Sequence, residues 1–162
     1  MLKPYEKVLA NMNQGEIIPE KEEEVQTTLQ GEERALYVKG KAIYDREGYC
    51  ITCHQENGRG LESSGYPPLV GTSWVLGDED RLIKVALNGL MGPLEIDGKH
   101  YEGQVPMMPF GGILNDEEIA AVLTYVRNSF GNEAAVISPD KVKEVREATR
   151  GKRGFYTAEE LN

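Results

Sequence analysis

Cys50-Ile51-Thr52-Cys53-His54 brings together the only two cysteines of the chain and one of its two histidines. Two thiols separated by two residues and followed at once by an imidazole form a C-x-x-C-H pattern, the attachment signature of c-type haem. The chemistry explains the spacing. Both thiols add across the vinyl groups of one haem and become thioethers, and the adjacent imidazole becomes an axial ligand of the iron. The iron then takes a sixth ligand or keeps an open face, and methionine is the common partner in electron-transfer proteins of this kind. Downstream, Pro106-Met107-Met108-Pro109 offers one.

Other uses of the same residues fit less well. A redox dithiol would sit in a βαβ context, and none is visible. A structural zinc ion takes four ligands, and Cys50, Cys53, His54 and the remote His100 match no common zinc spacing. A disulfide across the motif would leave His54 without a role. No nucleophile–base pair and no paired carboxylates stand out from the many acidic residues, so the chain reads as a carrier and not as an enzyme.

The elements that must position these residues are helical. Leu36, Tyr37, Gly40, Ile43 and Tyr44 recur at helical spacing, which predicts a helix over about 32–47 ended by Gly48. Residues 55–77 are rich in Gly, Ser and Pro and predict a loop. Asp78-Glu79-Asp80 places acids at the start of a helix carrying Leu82, Ile83, Ala86 and Leu87, which stops near Asn88-Gly89. Residues 91–112 predict a second long loop with a small hairpin at Ile96-Asp97-Gly98-Lys99, and loops this long are usually functional. Asn115 or Asp116 caps the strongest helix, with Ile119, Val122, Leu123, Val126 and Phe130 on one face and Gly131-Asn132 at its end. Ser138-Pro139-Asp140 opens a further, weakly amphipathic helix to about Arg150. The fold class expected is all-α, three to five helices around one covalent haem.

The 162 residues suggest one domain with extensions: an acidic N-terminal extension or linker over 1–30, a central domain over 31–131 and a C-terminal helical extension over 132–162. The net charge is −9 and the pI about 4.8, which disfavours nucleic acid as a partner. The acidity is central: residues 31–130 hold nine Lys and Arg against fifteen Asp and Glu, whereas residues 131–162 hold six of each. No apolar run is long enough to span a membrane, so direct membrane contact is not expected. The first twenty residues lack the apolar core of a signal peptide. Because c-type haem is normally attached after export, the chain reads as a mature protein or an excised fragment with a periplasmic or otherwise exported location.

From about Glu32 to Phe130 the chain resembles a class I monohaem cytochrome c. The resemblance rests on Cys50-Ile51-Thr52-Cys53-His54, on Gly40-x-x-x-Tyr44 as the N-terminal helix whose small residue admits a crossing helix, on Leu123-Thr124-Tyr125-Val126 as that crossing helix, and on the methionine loop. Gly89-Leu90-Met91-Gly92-Pro93 through Val105-Pro106-Met107 resembles bacterial domains fused to, or paired with, periplasmic quinoprotein-like dehydrogenases. Residues 1–30 and 131–162 fall outside that core.

The resemblance implies one covalent haem c, bound through Cys50, Cys53 and His54, with His54 oriented by a backbone carbonyl of the Pro67-Pro68 loop. In bacterial members with Met-Pro-x-Phe-Gly-Gly the ligand precedes the aromatic by three residues, a register that favours Met107 ahead of Phe110. A Met-Pro dipeptide would favour Met108. Met91 ranks third as a distal ligand and is expected in the core, and His100, which could in principle make bis-His ligation, is expected exposed or hydrogen-bonded. Tyr66 and Trp74 can donate to the propionates or pack the haem edge, and Arg59 and Arg81 can pair with propionates or stay solvated. The function implied is electron transfer with His54/Met107 axial ligation, accepting electrons from a dehydrogenase or passing them to an oxidase or reductase. A haem enzyme or gas-binding sensor with a labile distal methionine is the alternative, and a structural appendage with a redox-silent haem a third.

Overall fold

The computed structural model describes residues 26–162, so the acidic segment expected at 1–30 lies largely outside the described residues. Four helices of ten or more residues form the frame: α1 (Gly31–Tyr44), α4 (Glu79–Asn88), α5 (Asp116–Arg127) and α6 (Pro139–Ala148). Three shorter ones, α2 (Cys50–His54), α3 (Ser73–Leu76) and α7 (Ala158–Leu161), bring the count among the described residues to seven, above the three to five expected. The surplus consists of single turns of four or five residues, too short to show a periodic stripe.

Local chemistry sets the boundaries. Glu32 and Glu33 lie in the first turn of α1 and Lys41 in its last, matching the helix dipole at both ends. Asn115 and Glu118 form a capping box: each side chain accepts from the other's backbone N–H, at 2.9 and 3.1 Å. Asp78 caps α4, and Ser138 caps α6 with Pro139 in its first turn.

Helices α1 and α5 make the most extensive helix–helix contact in the fold. Gly40 permits it. A Cβ on Gly40 would collide with the Ala121 carbonyl and come within 2.8 Å of the Tyr125 Cβ. Around this crossing, Tyr37, Tyr44 and Phe130 each lie 5.1–5.8 Å from the Tyr125 ring, centroid to centroid. Phe130 differs from expectation. Helix α5 ends at Arg127 with Asn128 as its C-cap, and Phe130 follows in a left-handed turn (φ 61°) that returns its ring to the cluster.

The predicted hairpin is present as β2 (Leu94–Ile96) paired antiparallel with β3 (Lys99–Tyr101). A second pairing was not foreseen: β1 (Leu90–Met91) runs parallel to β4 (Tyr156–Thr157) at the far end of the chain. The predicted loop over 55–77 also contains a 3-10 turn at Glu62–Ser64 and helix α3. The last helix packs more intimately than its weak pattern suggests. Val142 and Val145 are buried in the same core as Ile43, Ile83 and Ile119. Thr124 ties this segment to α5 by accepting from the Ile137 N–H at 3.0 Å and donating to its carbonyl at 3.3 Å.

Candidate functional site

Helix α2 is a single turn, and its five residues are the C-x-x-C-H motif. Cys50 and Cys53, three apart on that turn, share a face, and His54 closes it. Both thiols are free. Burial pushes the Cys50 thiol up to about 12, the opposite of the depressed value that marks a redox-active thiolate.

His54 is buried, and its Nδ1 donates to the Pro67 carbonyl at 2.8 Å. A carbonyl can only accept, so the proton sits on Nδ1 and the Nε2 lone pair is left for a ligand role. Desolvation lowers the proton affinity of this imidazole, outweighing the opposing carbonyl bond. The ring is therefore held neutral, as metal ligation requires. The acceptor belongs to Pro67; Pro68, singled out from the sequence, lines the cavity beside it.

That cavity is the main concave feature of the site. It is partly open to solvent, and its walls are almost wholly apolar. Cys50 and His54 stand on one element of its lining, and Met107 and Phe110 on another. The remaining wall comes largely from α3, α4, α5 and the hairpin, including Val75, Ala86, Val122, Leu94 and Ile96. The mouth is bordered by Cys53, Tyr66, Val105 and Met108.

The expected residues divide clearly. Cys50, His54, Pro68, Trp74 and Met107 line the cavity, while Cys53 and Tyr66 line its mouth. Met107 is half-buried; Met108 is 59% exposed and borders only the mouth. The Trp74 Nε1–H donates to the Glu95 carbonyl at 3.1 Å, so this ring meets the cavity as a packing face. Arg81 is not among the lining residues. Its guanidinium stacks 4.2 Å from the Trp74 ring and donates to the Ser73 carbonyl, while its buried Nε–H has no partner among the described residues. Arg59 is exposed. His100 lies in β3, half-exposed and 3.2 Å from Glu102. Met91 was expected in the core and is 45% exposed; its place in the two-residue strand β1 directs the chain outward there.

Sequence reasoning missed Leu90, Leu94 and Ile96 as cavity walls; it placed the His54 acceptor in the Pro67-Pro68 loop, where the Pro67 carbonyl lies. The hairpin signal was present for the Ile96-Asp97-Gly98-Lys99 turn, but which face of the hairpin would be covered depends on contacts made elsewhere. Among the described residues, no group of three or more His, Cys, Asp or Glu is arranged to hold a metal ion by itself. The donor set is instead two thiols, one oriented neutral imidazole and one thioether beside an apolar cavity. That set fits a covalently attached haem, whose flat apolar macrocycle such a lining would accept.

Comparison with known proteins agrees. The family model described as cytochrome c matches residues 37–130. The chain is 38% identical over 125 residues to cytochrome c-552 of Thermus thermophilus, covering 68% of this chain and 82% of that protein. It is 38% identical over 114 residues to the fructose dehydrogenase cytochrome subunit of Gluconobacter japonicus, covering 66% of this chain but 22% of that subunit. It is 29% identical over 100 residues to the cytochrome c subunit of the quinone alcohol dehydrogenase of Gluconobacter oxydans, of which it covers 20%.

Proposed function

The chain belongs to the cytochrome c family as a class I monohaem member, an electron carrier with one covalent haem c, and we propose that His54 and Met107 are the two axial ligands through which it passes single electrons between redox proteins. The observation that carries this reading is the convergence of Cys50, His54 and Met107 on one apolar cavity. Bound haem supplies a reversible one-electron change at its iron.

The chain's own residues do the rest. Cys50 and Cys53, on one helical turn with His54, would hold the macrocycle at two points beside that imidazole. The Pro67 carbonyl holds the imidazole in one tautomer and raises its basicity as a ligand. Met107 supplies a thioether, which favours the reduced state and raises the potential relative to a nitrogen donor. Apolar walls exclude water and keep the site rigid between oxidation states. Trp74 closes one side as a packing wall backed by the Arg81 guanidinium stacked on its ring. Tyr66 borders the edge through which electrons enter and leave.

The partner is a redox protein, and the dehydrogenase cytochrome subunits among the relatives favour a dehydrogenase as electron donor. The location consistent with haem attachment after export is the periplasm or its equivalent. Among the described residues no helix is long and apolar enough to cross a membrane. The test begins with attachment. Acid–acetone should leave the haem on the chain, and the intact mass should show one haem per polypeptide. A freely extracted haem, or the mass of the bare chain, would remove the basis of this reading.

A further inference from the structure

The C-terminal segment grips the loop that carries Met107 at two separate places. The first grip is Arg146 in α6. Its Nε donates to the Asp116 carboxylate at 2.6 Å, Nη1 to the Gly111 carbonyl at 2.6 Å and Nη2 to the Leu114 carbonyl at 2.9 Å. All three acceptors lie just beyond Met107, where the chain turns from the methionine loop into α5. Charge-assisted bonds from a planar guanidinium fork fix orientation as well as distance.

The second grip is β4. It pairs in parallel with β1, Leu90 opposite Tyr156. On its other edge Leu90 exchanges two backbone hydrogen bonds with Met107, at 2.9 and 3.2 Å. Gly89 lies where this layer is tightest: a Cβ there would strike the Met107 carbonyl and come within 2.7 Å of the Phe155 ring. Met107 is thus linked backbone to backbone, through Leu90, to the end of the chain.

We propose that residues 139–157 brace the methionine loop, with Arg146 as a positioning residue that keeps Met107 in place against competing ligands for the iron. This rests on the reading of Met107 as the distal ligand. Loops open locally at far lower cost than whole domains unfold, and bonds made from outside the loop raise that cost. Without the Arg146 bonds the loop opens more often, and a ligand that binds only the open form gains apparent affinity in proportion. The exchange itself is a substitution: the thioether sulfur leaves the ferric iron and an imidazole nitrogen replaces it, with no change in oxidation state.

The test is an imidazole titration of the full-length ferric holoprotein at neutral pH, well below its unfolding temperature, following the near-infrared methionine–iron band. Arg146→Gln should bind imidazole roughly tenfold or more tightly than the parent protein. Arg146→Lys, which can keep the Asp116 contact, should fall between them. Val142→Ala thins the core packing of the same helix and removes none of the three Arg146 bonds; it should lower the melting temperature and leave imidazole affinity unchanged. Removal of residues 155–162 reads the second grip and should raise affinity as well, which covers the case of an Arg146→Gln protein that does not fold. Unchanged affinity in both Arg146→Gln and the truncation, or an equal rise in Val142→Ala, overturns the brace. Persistence of the band in Met107→Ala would instead overturn the ligand reading, so the two failures are distinct.

Discussion

Met107 and Met108 are adjacent, yet only Met107 reaches the inner cavity with His54. Its backbone explains why: the two hydrogen bonds with Leu90 set the direction of its side chain, and alternation along an extended chain sends the next residue the other way. Met107→Ala should therefore abolish the methionine–iron band and lower the reduction potential, because a thioether raises it. Met108→Ala should keep both band and potential, since that side chain is 59% exposed. Loss of the band in Met108→Ala alone would reverse the assignment. The C-x-x-C-H motif was fully legible because its chemistry is written in three side-chain types at fixed spacing. Between the neighbouring methionines the sequence offers only a register; the structure adds that Met107 lines the cavity while Met108 is exposed.

Two local rules visible in the sequence, the crossing and the cap, can be tested separately at the scale of the element. Gly40→Leu should force α1 from α5 and cost at least the usual overpacking penalty of about 1–3 kcal/mol, because even a methyl group would collide with the backbone of Ala121. Asn115→Ala should cost about 0.5–2 kcal/mol by freeing the N–H of Glu118 at the start of α5. Chemical denaturation of the holoprotein measures both, and Gly40→Leu with unchanged stability would mean the helices approach elsewhere. The four long helices and the hairpin were legible because each carries its own periodicity, cap or turn residues. Strand β4 was not: two residues, Tyr156 and Thr157, carry no alternation, and their partner lies at Leu90–Met91, far away in sequence. The roles of Arg127 and Arg146 were equally hidden. Arg127 is 4% exposed and donates to the carbonyls of Val75, Gly77 and Ala135, none of which leaves a mark on the sequence around it. An arginine that satisfies backbone carbonyls of other elements looks, in sequence, like any surface cation.

For the whole molecule, the distribution of charge decides how a partner approaches. The region 31–130 has a formal charge of −6, while the C-terminal segment that braces the methionine loop is balanced. Around the cavity mouth the side chains are largely apolar: Tyr66, Val105, Pro106 and Met108. Lys99 lies 2.6 Å from Glu62, which holds its ammonium more firmly protonated, and His100 pairs with Glu102. Haem propionates would add negative charge to this neighbourhood. Opposite charges steer encounter, and the effect weakens as salt screens them. An apolar edge set in an acidic surface therefore suits transient docking to a redox protein whose contact patch is basic or apolar. Small inorganic oxidants probe the same field without a specific interface. The cationic reagent should oxidise the reduced protein faster than an anionic one of similar driving force, and its rate should fall as ionic strength rises. Acidic residues on the partner's patch would act against docking for the same reason. A faster reaction with the anionic oxidant that slows with added salt would show a locally positive haem edge, and the partner would then have to present an acidic face.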